Sequence, residues 1–233
     1  MDSEFCINNY DFDKFFLMSK KDALVAKISI VQCEKLSFET LEEWLTANEC
    51  ERYRSFGSEK RKQQYAMGRI AAKNAIMELT GEKHPKEIDI SNAEDGYPIA
   101  KNSKISITHS NNCAAAIAFL SESSFGIDIE QINATKMQAL SYISLEKEPI
   151  EQNPEQLTIA WCMKESLSKA LLCGFRQSFE TFRIKSLQVA DDGNTYQAEY
   201  EHYPQYKGIA KIIEPIGAKK NTVIAVTYMD TAK

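Results

Sequence analysis

The chain has 233 residues, of which 43% are hydrophobic and 26% charged, and its formal net charge is −5. This length is enough for a substantial core, in one large domain or in two units of about 100 residues each. The acidic balance argues against the overall positive field of a non-specific nucleic-acid binder, so nucleic acid is not an expected partner.

Targeting and redox signals are weak throughout the sequence. Residues 1–10 lack a basic region followed by an apolar run, and no stretch approaches the roughly 20 apolar residues that span a bilayer. We therefore expect a cytoplasmic protein without a membrane partner. The six cysteines form no CxxC pair and the three histidines are scattered, which favours small buried thiols over zinc ligation or disulfides.

In chain order, the sequence pattern of the first half predicts four strands and two helices. A polar N-terminal arm, expected to be weakly anchored, precedes the first strand. Ser37 or Thr40 can cap one helix, and Gly81 ends a longer one. A turn at residues 95–98 separates two of the strands. The predicted elements are strands at residues 27–31, 88–91, 104–108 and 113–120 and helices at residues 37–53 and 58–79.

The longer of these helices carries a short positive stripe. Lys62, Arg69 and Lys73 share a face that differs from the apolar packing face. Such a stripe is usually solvated, although it could also receive phosphates.

The second half repeats the order strand, helix, longer helix, strands, and Gly174 is expected to stop its longer helix. This repetition predicts an α+β protein with two pseudo-symmetric halves, residues 1–122 and 123–233, and a site in the cleft between them. We expect each half to be a small, mainly antiparallel sheet packed by a long helix. The predicted elements are strands at residues 125–130, 182–189, 196–200, 209–214 and 223–228 and helices at residues 135–142 and 155–172.

Two carboxylates alternate with apolar residues in the strand Gly-Ile-Asp-Ile-Glu, residues 126–130. The period of two places Asp128 and Glu130 on one face and the two isoleucines on the other. A hard divalent cation relieves the repulsion between adjacent carboxylates, and Mg²⁺ needs only one or two of them when substrate phosphates are present. The alternative is an exposed edge strand with its polar residues directed outward.

The helix at residues 155–172 places Trp161, Glu165 and Lys169 along one face at positions i, i+4 and i+8. Taken alone, this is most often a solvated face with one Glu–Lys pair. His109 follows the strand at residues 104–108, where its imidazole and nearby hydroxyls could donate to a phosphate. A lone histidine is more often structural.

Four motifs in order resemble the 4′-phosphopantetheinyl transferases. They are most similar to the larger, Sfp-like class, in which one chain contains two pseudo-symmetric halves. The resemblance extends from about residue 27 to the C-terminus, and its last two motifs are the specific ones. The motifs are Gly-Arg-Ile-Ala-Ala-Lys at residues 68–73, Ile-Thr-His-Ser at 107–110, Gly-Ile-Asp-Ile-Glu at 126–130 and Trp-Cys-Met-Lys-Glu-Ser-Leu-Ser-Lys-Ala at 161–170.

The resemblance implies transfer of the phosphopantetheine arm of coenzyme A to a serine of an apo acyl or peptidyl carrier protein, with release of adenosine 3′,5′-bisphosphate. It implies that Asp128, Glu130 and Glu165 hold Mg²⁺, or Mn²⁺, against the pyrophosphate. Glu165 would take the serine proton directly or through a water, and Lys169 would stabilise or protonate the leaving phosphate. Such a reaction needs charge neutralisation and positioning more than a protein nucleophile.

The resemblance also implies contacts to coenzyme A. Thr108 and His109 would contact its phosphates, Asp128 and Lys169 would lie at its reacting end, and Trp161 would brace the helix face. A monomer is the family expectation.

Several positions depart from the family pattern. Tyr97 stands where lysine often binds a coenzyme A phosphate, and Gln64 stands where arginine is common. Arg52 is the residue expected to supply the missing charge, with Arg61 or Lys62 as alternatives. A further family carboxylate could be either Glu146 or Glu148.

Two other functions fit parts of this pattern. A metal-dependent nuclease or phosphohydrolase would also use an Asp-x-Glu strand followed by glutamate and lysine, but the chain lacks interleaved basic and aromatic runs. A non-catalytic carrier-binding protein would not need Asp128, Glu130, Glu165 and Lys169 intact.

Overall fold

The structure is a computed structural model that describes residues 5–15, 25–120, 123–142, 146–214 and 221–230. The chain divides into two compact units, Met1–Glu122 and Ser123–Lys233. All six cysteines are free, and Cys33, Cys113 and Cys162 are buried while the other three are partly buried. No described helix is both long enough and apolar enough to cross a membrane.

The first unit contains a long helix packed on an antiparallel sheet. The sheet has the strand order β1-β2-β6-β5, and β3 and β4 form a separate hairpin. The elements are β1 (Cys6–Asp11), α1 (Phe12–Phe15), β2 (Ala26–Gln32), α2 (Phe38–Trp44), α3 (Ala47–Ser55), α4 (Glu59–Thr80), β3 (Ile90–Asn92), β4 (Pro98–Ala100), β5 (Lys104–Ser110) and β6 (Cys113–Phe119).

Helix α4 begins and ends where its sequence predicts. The Ser58 side chain accepts from the Arg61 amide at the N-terminus, and Gly81 adopts a left-handed conformation at the C-terminus. Its middle turns are buried against β2, β5 and β6, and small residues such as Ala71 and Ala75 allow this close approach. Helix α4 is thus the central packing element of the unit.

Two predictions for this unit are wrong. Residues of the expected weakly anchored arm form β1, which pairs with β2 along its whole length; the rest of that arm, at residues 1–4 and 16–24, lies outside the described residues. The single helix at residues 37–53 is two helices, because Leu45 is extended and Thr46 starts α3 with a reciprocal capping box to Glu49.

The second unit has the same plan. Its antiparallel sheet has the strand order β7-β11-β10-β9-β8, and α6 packs on β7, β11 and β10. The elements are β7 (Phe125–Gln131), α5 (Met137–Ser141), α6 (Pro154–Ala170), β8 (Ile184–Val189), β9 (Thr195–Tyr200), β10 (Tyr206–Ile213) and β11 (Thr222–Met229).

Helix α6 starts at an Asn153 cap with Pro154 in its first turn, a combination that satisfies a free amide and fixes the chain for helix entry. The predicted stop at Gly174 is late. The helix ends at Ala170, and the first left-handed residue after it is Leu172. Residues 174–176 form a separate 3₁₀ turn.

The two units share a strand connectivity. In each, the strand that most closely precedes the long helix pairs antiparallel with the last strand of the unit, and that last strand pairs with the strand before it. The order is β2-β6-β5 in one unit and β7-β11-β10 in the other. The predicted α+β class with two similar antiparallel halves is therefore confirmed.

Candidate active site

The candidate site of the second unit begins at the face of β7 that carries Gly126, Asp128 and Glu130. Asp128 is only 5% exposed. A side chain at Gly126 would meet the backbone oxygen of Ser166 at 2.0 Å and the Ala170 amide nitrogen at 2.5 Å. This face of β7 therefore packs directly under α6, and the alternative of polar residues directed into solvent is wrong for Asp128.

Lys169 joins this strand to the helix. Its Nζ lies 2.7 Å from Asp128 Oδ1 and 3.0 Å from the carbonyl oxygen of Ile127, and donates to both. Glu165 lies one turn earlier on α6, with Oε2 3.5 Å from the same Nζ. Asp128, Glu165 and Lys169 are therefore one cluster, which we call the β7/α6 cluster.

Electrostatics within the β7/α6 cluster are unbalanced. Burial and then the neighbouring Asp128 charge raise the pKa of Glu165, and Lys169 only partly offsets them. Burial alone would lower the pKa of Lys169, but Asp128 and Glu165 together raise it, so the ammonium is retained. The cluster holds two carboxyl groups around one cation, and Glu165 is the carboxyl group whose ionised form is disfavoured.

Glu130 lies further along the same face but has a different partner. Its Oε1 accepts from Lys136 Nζ at 2.7 Å and from the Gln131 amide at 3.2 Å. Its charge also contributes to the raised pKa of Glu165. All three predicted metal ligands thus belong to one electrostatic neighbourhood.

The arrangement of these carboxylates is not a preformed metal site. No group of three or more His, Cys, Asp or Glu side chains in the described ranges is placed to hold a metal ion. Lysines instead contact Asp128 and Glu130. The donors nevertheless fit a hard divalent cation in their chemistry, because they are carboxylate oxygens with uncompensated negative charge.

Trp161 lies one turn before Glu165 and is partly buried against the core of the second unit. Its ring centroid lies 6.4 Å from that of Phe179, with the planes tilted by 56°. A bracing role for Trp161 stays a prediction, and this contact is consistent with it.

The first unit contains a cavity of about 710 Å³ between α3, α4, the β3–β4 hairpin and β5, which we call the α4 cavity. Arg52, Arg61, Gln64 and His109 all line it. Gly96 also lines it, whereas Lys62 does not and pairs with Glu59 instead.

Thr108 and His109, predicted to contact the same phosphates, lie on opposite faces of β5. His109 is exposed and lines the α4 cavity, as Ile107 two residues earlier does. Thr108 is 5% exposed and does not line this cavity. Because successive side chains of a strand alternate, the α4 cavity can receive only one of the pair.

Two of the three residues of the positive stripe of α4, Arg69 and Lys73, are buried, whereas Lys62 stays partly solvated. Lys73 is fully buried and pairs with Glu49 at 2.6 Å, while also donating to the carbonyl oxygens of Trp44 and Pro85. Burial lowers the pKa of Lys73, and Glu49 opposes that shift. The sequence signal that was missed is Glu49, read only as part of a helix although its capping box places it opposite α4.

The structure separates the two candidates for the additional carboxylate. The Glu148 side chain is fully buried with that of Lys164, and its oxygens accept from Lys164 Nζ at 2.8 Å and from the Ile184 amide at 2.7 Å. Glu146 is exposed, and its carbonyl oxygen accepts from Arg183. Glu148 therefore anchors its loop to α6 and β8. Lys164, which precedes Glu165, was missed because its position on the helix does not reveal a partner 16 residues away.

One family model matches the part of the chain that contains this geometry. Residues 124–226, which contain both specific motifs, match the model of the 4′-phosphopantetheinyl transferase superfamily. The resemblance recognised from the motifs is confirmed over this segment.

Among solved structures, the chain is similar to the holo-[acyl-carrier-protein] synthase of Thermotoga maritima. The identity is 14% and the TM-score 0.34, over 50% of this chain and 73% of that chain. The comparison with curated proteins found no match.

Proposed function

We propose that this chain transfers the 4′-phosphopantetheine arm of coenzyme A to a serine hydroxyl of an apo acyl or peptidyl carrier protein. The observation that carries the proposal is the β7/α6 cluster, which lies inside the segment that matches the superfamily. In the reaction, the serine oxygen bonds to the phosphorus that bears the arm, and the bond to the bridging pyrophosphate oxygen breaks. Adenosine 3′,5′-bisphosphate leaves.

Glu165 is the proposed general base. A base works best when its pKa lies near the working pH, and burial beside Asp128 raises the pKa of this carboxyl from its ordinary value. The proton of the attacking serine would pass to Glu165 Oε1 or Oε2, directly or through one water. The raised pKa thus supports the assignment made from the motif.

Lys169 is the proposed electrostatic partner of the leaving phosphate. Its ammonium is held by Asp128 and Ile127 on a side chain that is still about a quarter exposed, so it can reach a substrate. A positive charge at this point stabilises the negative charge that develops on the departing oxygen.

Asp128, Glu165 and Glu130 are the proposed holders of Mg²⁺ or Mn²⁺. A bound divalent cation would neutralise pyrophosphate charge and polarise its oxygens. Lys169 contacts Asp128, and Lys136 contacts Glu130. We therefore expect each lysine to move away from its carboxylate when a cation binds.

The α4 cavity is the proposed site for the nucleotide end of coenzyme A. Arg52, Arg61 and His109 give its walls cationic and hydrogen-bonding groups that suit phosphates. Because Arg52 and Arg61 line the cavity and Lys62 does not, we propose that these two arginines replace the cations that Gln64 and Tyr97 do not provide.

The free cysteines agree with the proposed cytoplasmic location. We also propose that the chain acts as a monomer.

Intact-protein mass spectrometry tests this proposal. Several apo carrier proteins are incubated with the chain, coenzyme A and Mg²⁺, and EDTA replaces Mg²⁺ in the control. We expect a metal-dependent mass gain of one phosphopantetheine arm on at least one carrier. No gain on any carrier, with a folded chain that binds the carrier, would overturn the proposal in favour of a non-catalytic carrier-binding protein. Metal-dependent cleavage of plain DNA or RNA would favour the nuclease.

A further inference from the structure

Arg69 is a buried arginine whose side chain forms part of the wall of the α4 cavity. The residue is 6% exposed. Its guanidinium carbon lies 4.7 Å from the centroid of the Tyr65 ring, and its Nη2 donates to Asn92 Oδ1 at 2.6 Å. These contacts from the same helix and from the β3–β4 hairpin fix the orientation of the guanidinium.

One donor of this guanidinium is unused. Within the described part of the chain, Arg69 Nε is buried and has no hydrogen-bond partner. The nearest carboxylate oxygen, Glu49 Oε1, lies 3.9 Å away, beyond hydrogen-bond distance. Arg69 and Glu49 therefore form a long ion pair that leaves the Nε donor without a hydrogen bond.

Glu49 has a closer counter-ion than Arg69. It pairs with Lys73 at 2.6 Å and accepts from the Thr46 and Ile90 amides at 3.0 and 3.2 Å. Glu49 is thus shared between two cations, Lys73 and Arg69. One positive charge is left over in this buried group, and Arg69 is its member that lines the cavity.

The other charges around the α4 cavity favour an anion. Arg52 and Arg61 add two cations to its lining, against the carboxylates of Glu49 and Asp89. Glu49 is paired as described, and Asp89 accepts from the Thr46 hydroxyl at 2.9 Å. A planar guanidinium suits a phosphate, which can accept several hydrogen bonds at once.

We propose that Arg69 is a phosphate-binding residue that determines the affinity of the α4 cavity for a phosphorylated ligand. The identification of that ligand as coenzyme A rests on the proposed function; the phosphate contact itself does not. The phosphate can be the 3′-phosphate of the ribose or part of the pyrophosphate, and the choice of ligands in the test distinguishes them.

The test is isothermal titration of the full chain with coenzyme A, dephospho-coenzyme A, adenosine 3′,5′-bisphosphate and inorganic phosphate. Arg69→Gln removes the charge, and Arg69→Lys restores it without the planar fork. The matched control is Lys60→Gln, which removes an exposed cation of the same helix outside the cavity lining. If Arg69→Gln fails to fold, Asn92→Ala is used in its place. This variant changes an exposed residue and removes the hydrogen bond that Asn92 accepts from Arg69 Nη2.

We expect wild-type protein to bind coenzyme A or adenosine 3′,5′-bisphosphate, and Arg69→Gln to lose about 10- to 100-fold in affinity, the range for a hydrogen bond to a charged group. Arg69→Lys and Asn92→Ala should lose less, and Lys60→Gln should stay within about twofold. Loss for coenzyme A and the bisphosphate, but not for dephospho-coenzyme A, assigns the contact to the 3′-phosphate. Equal loss for dephospho-coenzyme A assigns it to the pyrophosphate.

Unchanged affinity in Arg69→Gln for every ligand overturns the inference, as does the absence of binding of any of them to wild type. These outcomes are independent of turnover. If the chain binds the bisphosphate through Arg69 but modifies no carrier, the inference on Arg69 stands and the proposed function fails. If the chain modifies a carrier but Arg69→Gln binds every ligand as tightly as wild type does, the proposed function stands and the inference on Arg69 fails.

Discussion

At the scale of single residues, Glu165 is in an electrostatic conflict. It is held beside Asp128 in a partly buried position, although burial and the like charge both disfavour its ionised form. Carboxyl groups with a perturbed pKa and a specific charged neighbour are frequent at functional sites, which supports the proposed role of Glu165.

We predict that Glu165→Gln stabilises the metal-free protein above mildly acidic pH. The folded state holds the Glu165 proton more tightly than the unfolded chain does, so the wild-type free energy of unfolding falls, relative to the variant, as pH rises from the ordinary value of 4.5 through the raised pKa. Thermal unfolding of both proteins between pH 4 and 8 in EDTA measures this. A variant that melts below wild type throughout would contradict the electrostatic account.

Adding Mg²⁺ should reverse the order of stability of wild type and Glu165→Gln. A ligand that binds only the folded state raises its stability. Wild type should therefore gain melting temperature with Mg²⁺, while Glu165→Gln should gain much less because it lacks one proposed ligand. Equal gains in the two proteins would remove Glu165 from the metal site.

The Glu148–Lys164 pair has the opposite character, since both side chains are fully buried and oppositely charged. We predict that Glu148→Gln costs about 3–5 kcal/mol of unfolding free energy, because it leaves a buried ammonium unpaired. Burial already lowers the pKa of Lys164, and Glu148 is what opposes this. Urea unfolding measures the loss.

Two further variants test this prediction. Glu180→Gln removes one partner of an exposed pair with Arg183 and should change stability little. Glu148→Leu combined with Lys164→Met replaces both charges with apolar groups and should recover much of the loss. A Glu148→Gln variant as stable as Glu180→Gln would show that the buried pair does not hold the loop.

At the scale of secondary-structure elements, the site depends on how closely α6 crosses β7. Only a residue without a side chain fits at 126, because a Cβ there would lie 2.0 Å from the Ser166 carbonyl oxygen. That close crossing is what brings Lys169 to Asp128. The glycine of the strand motif therefore has a packing role distinct from the carboxylates beside it.

We predict that Gly126→Ala displaces α6 and lowers stability by more than the 1–3 kcal/mol typical of an overpacked core, because the obstacles are backbone atoms that cannot rotate away. Carrier modification should fall with it. Gly57→Ala, at a position with nothing within 4 Å, is the control and should leave both unchanged. A Gly126→Ala protein with wild-type melting temperature would contradict the packing geometry.

The elements themselves were largely predictable where local chemistry decides them. Periodicity located α4 and α6, and Gly81 gave the end of α4 because a left-handed glycine acts on its own helix end. The errors arose where a local signal had two readings. Thr46 could continue a helix or cap a new one, and its capping box with Glu49 decided for a new one. The arm that became β1 is stabilised by pairing with β2, which no property of the arm alone reveals.

At the scale of the whole molecule, the repeated order of elements in the sequence did predict the two similar units. The candidate site was predictable in part. Alternation placed Asp128 and Glu130 on one face, and helical spacing placed Glu165 and Lys169 together. The ion pairs were not predictable, because Glu49–Lys73 and Glu148–Lys164 join residues 24 and 16 positions apart through tertiary packing alone.

If the β7/α6 cluster carries out phosphopantetheinyl transfer, turnover depends on Glu165, and the transfer rate of Glu165→Gln on a carrier that the wild type modifies tests this. Glu155→Gln is the matched control, because Glu155 lies on the same helix and accepts a hydrogen bond from Tyr196, which glutamine can also accept. We expect Glu165→Gln to lose about 100-fold or more in rate, the range for removal of a general base, while Glu155→Gln keeps wild-type turnover. Turnover of Glu165→Gln equal to that of the control, at saturating Mg²⁺ and coenzyme A, would contradict the assignment of the cluster.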